Sequence, residues 1–194
     1  MAGLSKAVQG FPPLPYVKAE LDEIREFYPG ERLFNESFRG SSLKKALRNK
    51  EFNILHIASH GEFQGDVGKT FLLAFDGRLT MNELDEYVGL LQFRKDPLEL
   101  LTLSACDTAA GDDLAALGIA GVAIKAGARS ALATLWQVND LATSILVGEF
   151  YRQLRKPNVS RAVALQRAQL KLLHDPRYEH PGYWSPFLMI NNWL

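Results

Sequence analysis

The sequence of 194 residues has one cysteine, four histidines and no excess of either charge, with 22 Lys+Arg against 22 Asp+Glu. A single thiol excludes an internal disulfide, and four scattered histidines do not make a zinc site, so no metal or organic cofactor is expected. Balanced charge leaves no electrostatic footprint for nucleic acid or anionic lipid, and neither is expected as a direct partner. Long unbroken apolar runs are missing as well. The longest stretch, Leu117 to Trp136, is interrupted by Lys125 and Arg129, which excludes a membrane-spanning helix there. The opening residues MAGLSKAVQG lack the apolar segment of a secretory signal. Internal repeats and low-complexity tracts are absent too. What is present is 47% apolar and 23% charged, enough to bury a real core. One cytoplasmic globular domain is expected, with a lone thiol to explain.

Residues 1–14 are rich in Gly and Pro and read as an irregular lead-in. From Pro15, Val17, Leu21, Ile24 and Tyr28 recur at helical spacing, and Pro29-Gly30 stops the helix. A short strand over Arg32–Asn35 and a helix over Ser41–Asn49 follow. Asn53–Ser59 is an apolar run of strand length, the pattern of a strand covered on both faces. Phe71–Phe75 and Arg78-Leu79 flank Asp76-Gly77, a two-residue hairpin signal. Thr80 to Glu83 has the capping-box pattern that opens a helix. Leu98–Ser104 is the second buried strand, a helix is expected over 113–126, and Ser130–Leu135 is the third strand. Asn139 or Asp140 can cap one further helix and Ser160 another, and Pro186–Ile190 is the last strand. Strands alternating with long helices give an α/β class with a mainly parallel sheet and helices on both faces.

Function in such sheets gathers at the carboxyl ends of the strands. Here Asn53–Ser59 runs into His60-Gly61, and Leu98–Ser104 runs into Ala105-Cys106-Asp107. Neighbouring parallel strands lie about 4.8 Å apart, so His60 and Cys106 can share one rim. Cys106 sits between a strand end and a helix start, where backbone N–H groups favour thiolate. A histidine within reach completes a nucleophile–base dyad. The N–H groups of Gly61 and Cys106 supply an oxyanion hole. These are parts for cysteine-dependent acyl transfer. Cys106 follows His60 by 46 residues, close to the roughly 50 of caspases.

The stretches LHIASHGEF, LLTLSACDTAAG, GARSALATLWQVND, SRAVALQRAQLKLL and YWSPFLMI, in that order, closely resemble a CHAT domain, a caspase-like, separase-related peptidase family often found behind TPR repeats in bacteria. The resemblance runs from about Leu14 to Leu194. It implies a three-layer caspase/hemoglobinase fold and endopeptidase activity, with His60 matching the family histidine and Cys106 its nucleophile. It also implies a protein substrate and allows an upstream TPR or other regulatory domain. Two departures accompany it. The family usually carries another strand before its LP…E helix, and MAGLSKAVQGFPP offers none, so residues 15–194 look about one strand short. The flank of Cys106 differs from the caspase Q-A-C-[RQG]-G pattern, so a preference for Asp is not carried over. Trp136 to Asp140 resembles the family's W-x-V-x-D stretch near the substrate pocket, where separase receives a basic side chain on an acid. Asp107, Trp136 and Asp140 are the resulting specificity candidates.

Each candidate has an ordinary structural role beside it. A lone Cys in an apolar strand is commonly an inert core residue. His56 reads as a buried, hydrogen-bonded histidine. Asp107 and Asp140 can each cap a helix, Trp136 can be core or pocket wall, and His174 and His180 read as surface-loop residues. Gly68-Lys69-Thr70 is half a P-loop, but the required earlier glycine is Phe63. A phosphatase loop needs an arginine shortly after Cys106, and 107–113 contains none. The sequons at Asn35 and Asn158 carry no weight without a secretory signal. The leading expectation is a cysteine endopeptidase. Its rival is a caspase-like binding or regulatory module, silent or latent until an upstream domain or partner completes it.

Overall fold

The computed structural model describes residues 1–49, 52–63, 70–80, 82–84, 86–87, 98–104, 107–108, 128–136 and 138–192. Its centre is a six-stranded sheet. Strands β1 (Ala2–Gly3), β2 (Leu33–Phe34), β3 (Ile54–Ala58), β7 (Leu100–Ser104), β9 (Ser130–Thr134) and β10 (Phe187–Asn191) lie in the order β10-β9-β7-β3-β1-β2. All neighbours run parallel except β10, which returns antiparallel to β9. A second sheet of four strands adds β4 (Gly61–Phe63), β5 (Phe71–Ala74), β6 (Gly77–Thr80) and β8 (Asp107–Thr108), in the order β6-β5-β4-β8.

Residues two apart on a strand share a face, and this period separates the core into two layers. Leu55, Ile57, Leu101, Leu103, Ala131 and Ala133 face one side, where Leu43 and Leu47 of α2 (Gly40–Asn49) cover them. Ile54, Leu100 and Leu132 face the other side, beneath α3 (Asp140–Leu154), α4 (Arg161–Leu173) and Ile24 of α1 (Val17–Phe27). Covering both faces explains why β3, β7 and β9 are buried along almost their whole length. The architecture is the expected three-layer α/β fold.

Most sequence-derived elements are present with ends shifted by one or two residues. Asn139 caps α3 by accepting the Ala142 N–H, and Ser160 caps α4 by accepting that of Val163. The capping box closes reciprocally, Glu83 taking the Thr80 N–H and Thr80 Oγ1 that of Glu83. The helix expected over 113–126 lies outside the described residues. The hairpin turns one residue earlier than expected, at Phe75-Asp76, because Ala74 pairs with Gly77.

The lead-in is corrected at its start. Ala2–Gly3 is not irregular but a strand inserted between β2 and β3, parallel to both. It is too short for any periodicity to mark, and its glycine is required by crowding. A Cβ on Gly3 would stand 2.6 Å from Leu21 Cδ1 and 2.8 Å from Val17 Cγ1, because α1 lies directly on the strand. The sheet therefore has a strand ahead of α1, which MAGLSKAVQGFPP did not reveal.

Candidate active site

His60 leaves the carboxyl end of β3 just before β4 begins. Backbone pairing holds that corner. The Ser59 N–H donates to the Ser104 carbonyl at 3.3 Å, Ser59 Oγ to the Leu73 carbonyl at 2.5 Å, and the Leu73 N–H to the His60 carbonyl at 2.8 Å. Ala58 lies opposite Ser104, and Glu62 lies opposite Asp107. The two residues that bracket His60 are thus paired with residues on either side of Cys106. Cys106 itself lies outside the described residues, as does the side chain of Asp107. Gly61 opens β4 opposite Leu72.

The His60 side chain is only 4% exposed. Its Nε2 lies 2.8 Å from the Pro12 carbonyl oxygen. A carbonyl only accepts, so Nε2 carries the proton in this arrangement, and Nδ1 is the nitrogen that remains to accept another. The Phe11 ring packs on the imidazole at 5.2 Å between centroids.

Asp140, in the first turn of α3, does not cap its own helix. Its Oδ2 accepts the Tyr16 N–H at 2.8 Å and so satisfies the start of α1. Its Oδ1 is buried without a hydrogen-bond partner. Burial pushes the carboxyl above its ordinary range, the Tyr16 amide pulls it down, Glu20 pushes it up and His60 pulls it down. Asp140, Glu20 and His60 therefore share one electrostatic neighbourhood at the strand ends. Trp136, past β9, is 39% exposed and not a core residue.

Beneath this rim is a polar cluster that the sequence reading only touched. His56 is buried, as expected, with Nε2 2.9 Å from Glu20 Oε1. Glu20 is fully buried and also accepts from Ser104 Oγ at 2.6 Å. Tyr151 of α3 bonds Thr102 at 2.8 Å and reaches His56 Nδ1 at 3.4 Å, and burial pushes its phenol well above the usual tyrosine range. No local sequence pattern marks Ser104, Thr102 or Tyr151 as members of this cluster. A signal existed for Glu20, since a charged residue three positions after Val17 falls on the apolar stripe of α1. His174 and His180 are exposed, and His180 Nδ1 accepts the Gly182 N–H in a surface turn.

Among the described residues no cluster of His, Cys, Asp or Glu could hold a metal ion, and no helix is long and apolar enough to cross a membrane. A cavity of about 720 Å³, lined by Ile24, Tyr28, His56 and Glu99 among others, opens at the amino ends of the strands, away from His60. The protein-family model described as CHAT domain matches residues 3–192. No curated protein matches the chain.

Proposed function

The chain belongs to the CHAT domain family, a caspase-like family often with peptidase activity, and from that premise we propose that it is a cysteine endopeptidase acting on a protein substrate. The observation that carries the proposal is the double register Ala58↔Ser104 and Glu62↔Asp107, which pairs the chain around His60 with the chain around Cys106. In the proposed reaction the Cys106 sulfur, as thiolate, attacks the scissile carbonyl carbon. The N–H groups of Gly61 and Cys106 hold the resulting oxyanion. His60 gives its proton to the departing amine, leaving a thioester. Water, deprotonated by His60, then attacks the thioester and frees the acid and the thiol.

Asp107, Trp136 and Asp140 are proposed as substrate contacts, with the acids disposed to receive a basic side chain. An exposed Trp136 and a half-buried Asp140 whose carboxyl is influenced by the His60 charge support that disposition. A cytoplasmic protease with an upstream TPR or other regulatory domain as partner is the setting this reading favours.

The rival is a silent or latent module, and one observation favours it: His60 is buried and bonded to the chain's own Pro12 carbonyl. Alkylation by iodoacetamide separates the two. A working dyad gives rapid labelling of Cys106 at neutral pH that slows about tenfold or more in His60→Ala. With the natural substrate, Cys106→Ala abolishes cleavage while the circular dichroism spectrum stays unchanged. Cleavage that persists in Cys106→Ala removes the peptidase reading.

A further inference from the structure

The segment between β1 and α1 is irregular yet tightly tied. The Ser5 N–H and Oγ both donate to Asn35 Oδ1, at 2.8 and 3.2 Å. The Leu14 N–H donates to the Ser5 carbonyl at 3.1 Å, closing residues 5–14 into a loop. Inside it Val8 and Phe11 form a β-bridge, the Phe11 N–H donating to the Val8 carbonyl at 2.9 Å. Gln9 (φ 49°) and Gly10 (φ 84°) both have left-handed backbone, the requirement of a type I′ turn. The far end is held where the Tyr16 N–H meets Asp140. The loop is anchored at both ends outside the turn that carries Phe11.

That turn delivers two groups to one place. The Phe11 ring lies 5.2 Å from the imidazole of His60 and 6.1 Å, edge-on, from the ring of Phe71, while the Arg78 guanidinium covers Phe71 at 4.2 Å. The next carbonyl, that of Pro12, accepts from His60 Nε2. An aromatic side chain in a slot and the following backbone carbonyl on a donor are how an extended peptide is gripped.

We infer that His60 and Phe71 form a peptide-recognition subsite for an aromatic side chain followed by a carbonyl acceptor, and that Phe11-Pro12 of the chain itself occupies it in the free protein. The inference rests on the reading of His60 as part of a peptide site. Its consequence is that a substrate or partner peptide binds by displacing the chain's own loop, and a peptide with an aromatic residue at the matching position does so best. Until then the imidazole is shielded and its Nε2 is engaged.

Carbethoxylation of the intact protein by diethylpyrocarbonate, read residue by residue by mass spectrometry, tests this without turnover, so it stands or falls separately from the cleavage assay. The four histidines supply their own controls: exposed His174 and His180 react freely, and buried His56 reports an intact fold. In the wild type His60 is protected. In Phe11→Ala its rate rises roughly tenfold, the loss expected when an aromatic contact and the hydrogen bond it positions are removed, and His56 stays protected. Where Phe11→Ala also opens His56, Phe11→Leu is used, which keeps apolar bulk against the core. A synthetic peptide of residues 10–14 added to the variant restores protection, and its Phe→Ala counterpart does not. Equal reactivity of His60 and His180 in the wild type overturns the occupancy. Equal protection by both peptides, or by neither, overturns the aromatic subsite.

Discussion

Asp140 shows how one side chain can take two structural duties at a candidate site. Its carboxylate terminates the Tyr16 N–H of one helix while standing in the first turn of another, with one oxygen buried and unbonded. Burial therefore raises its pKa, and the sign of the consequence follows. Below the ordinary carboxyl range, about pH 4, both folded and unfolded chains hold the proton and nothing is lost. As pH climbs past that range the unfolded chain releases its proton first, so stability falls until the folded carboxyl also ionises, and the deficit then stays. Asp140→Asn keeps an oxygen for the Tyr16 N–H and has no proton to lose. Urea midpoints measured at steps between about pH 3.5 and 7 should diverge in favour of Asp140→Asn as pH rises. A gap that is flat with pH rejects burial as the cause.

Between elements, Glu20 is the tie with most at stake. From α1 it meets His56 on β3 and Ser104 on β7, the two strands whose ends lead to His60 and Cys106. Tyr151 joins α3 to β7 through Thr102 and to β3 through His56. Glu20→Ala leaves the buried Ser104 hydroxyl without its acceptor and removes the carboxylate facing the buried His56, at a cost on the order of 3 kcal/mol. Glu20→Gln retains an oxygen for Ser104 and costs about 1 kcal/mol. Chemical denaturation ranks the two, and equal losses for both would mean that packing volume, not the acceptor, is what Glu20 contributes. The buried strands were legible because apolar runs of strand length have few other homes. The tie beneath them was not, because polar partners 36 to 95 residues apart in sequence leave no local pattern. Glu20 alone could have been suspected, from its place on an apolar stripe.

Over the whole molecule, zero formal charge and a pI near 6.9 predict a solubility minimum close to pH 6.9. Precipitation by polyethylene glycol across pH locates it, and a minimum more than about one pH unit away would show that folding has strongly displaced several ionisations. The order of motifs, the alternation of helices and strands, the lone thiol and the histidine at a strand end were all decided by the sequence itself. These are local matters: periodicity, capping and turn chemistry act over a few residues. The tertiary structure decided what lies far apart in sequence. It brought Ala2–Gly3 into the sheet, Glu62 beside Asp107, Glu20 beneath both strand ends and Pro12 onto His60. A two-residue strand has no period to read, and a proline carbonyl becomes a ligand only when chain closure places a donor in front of it.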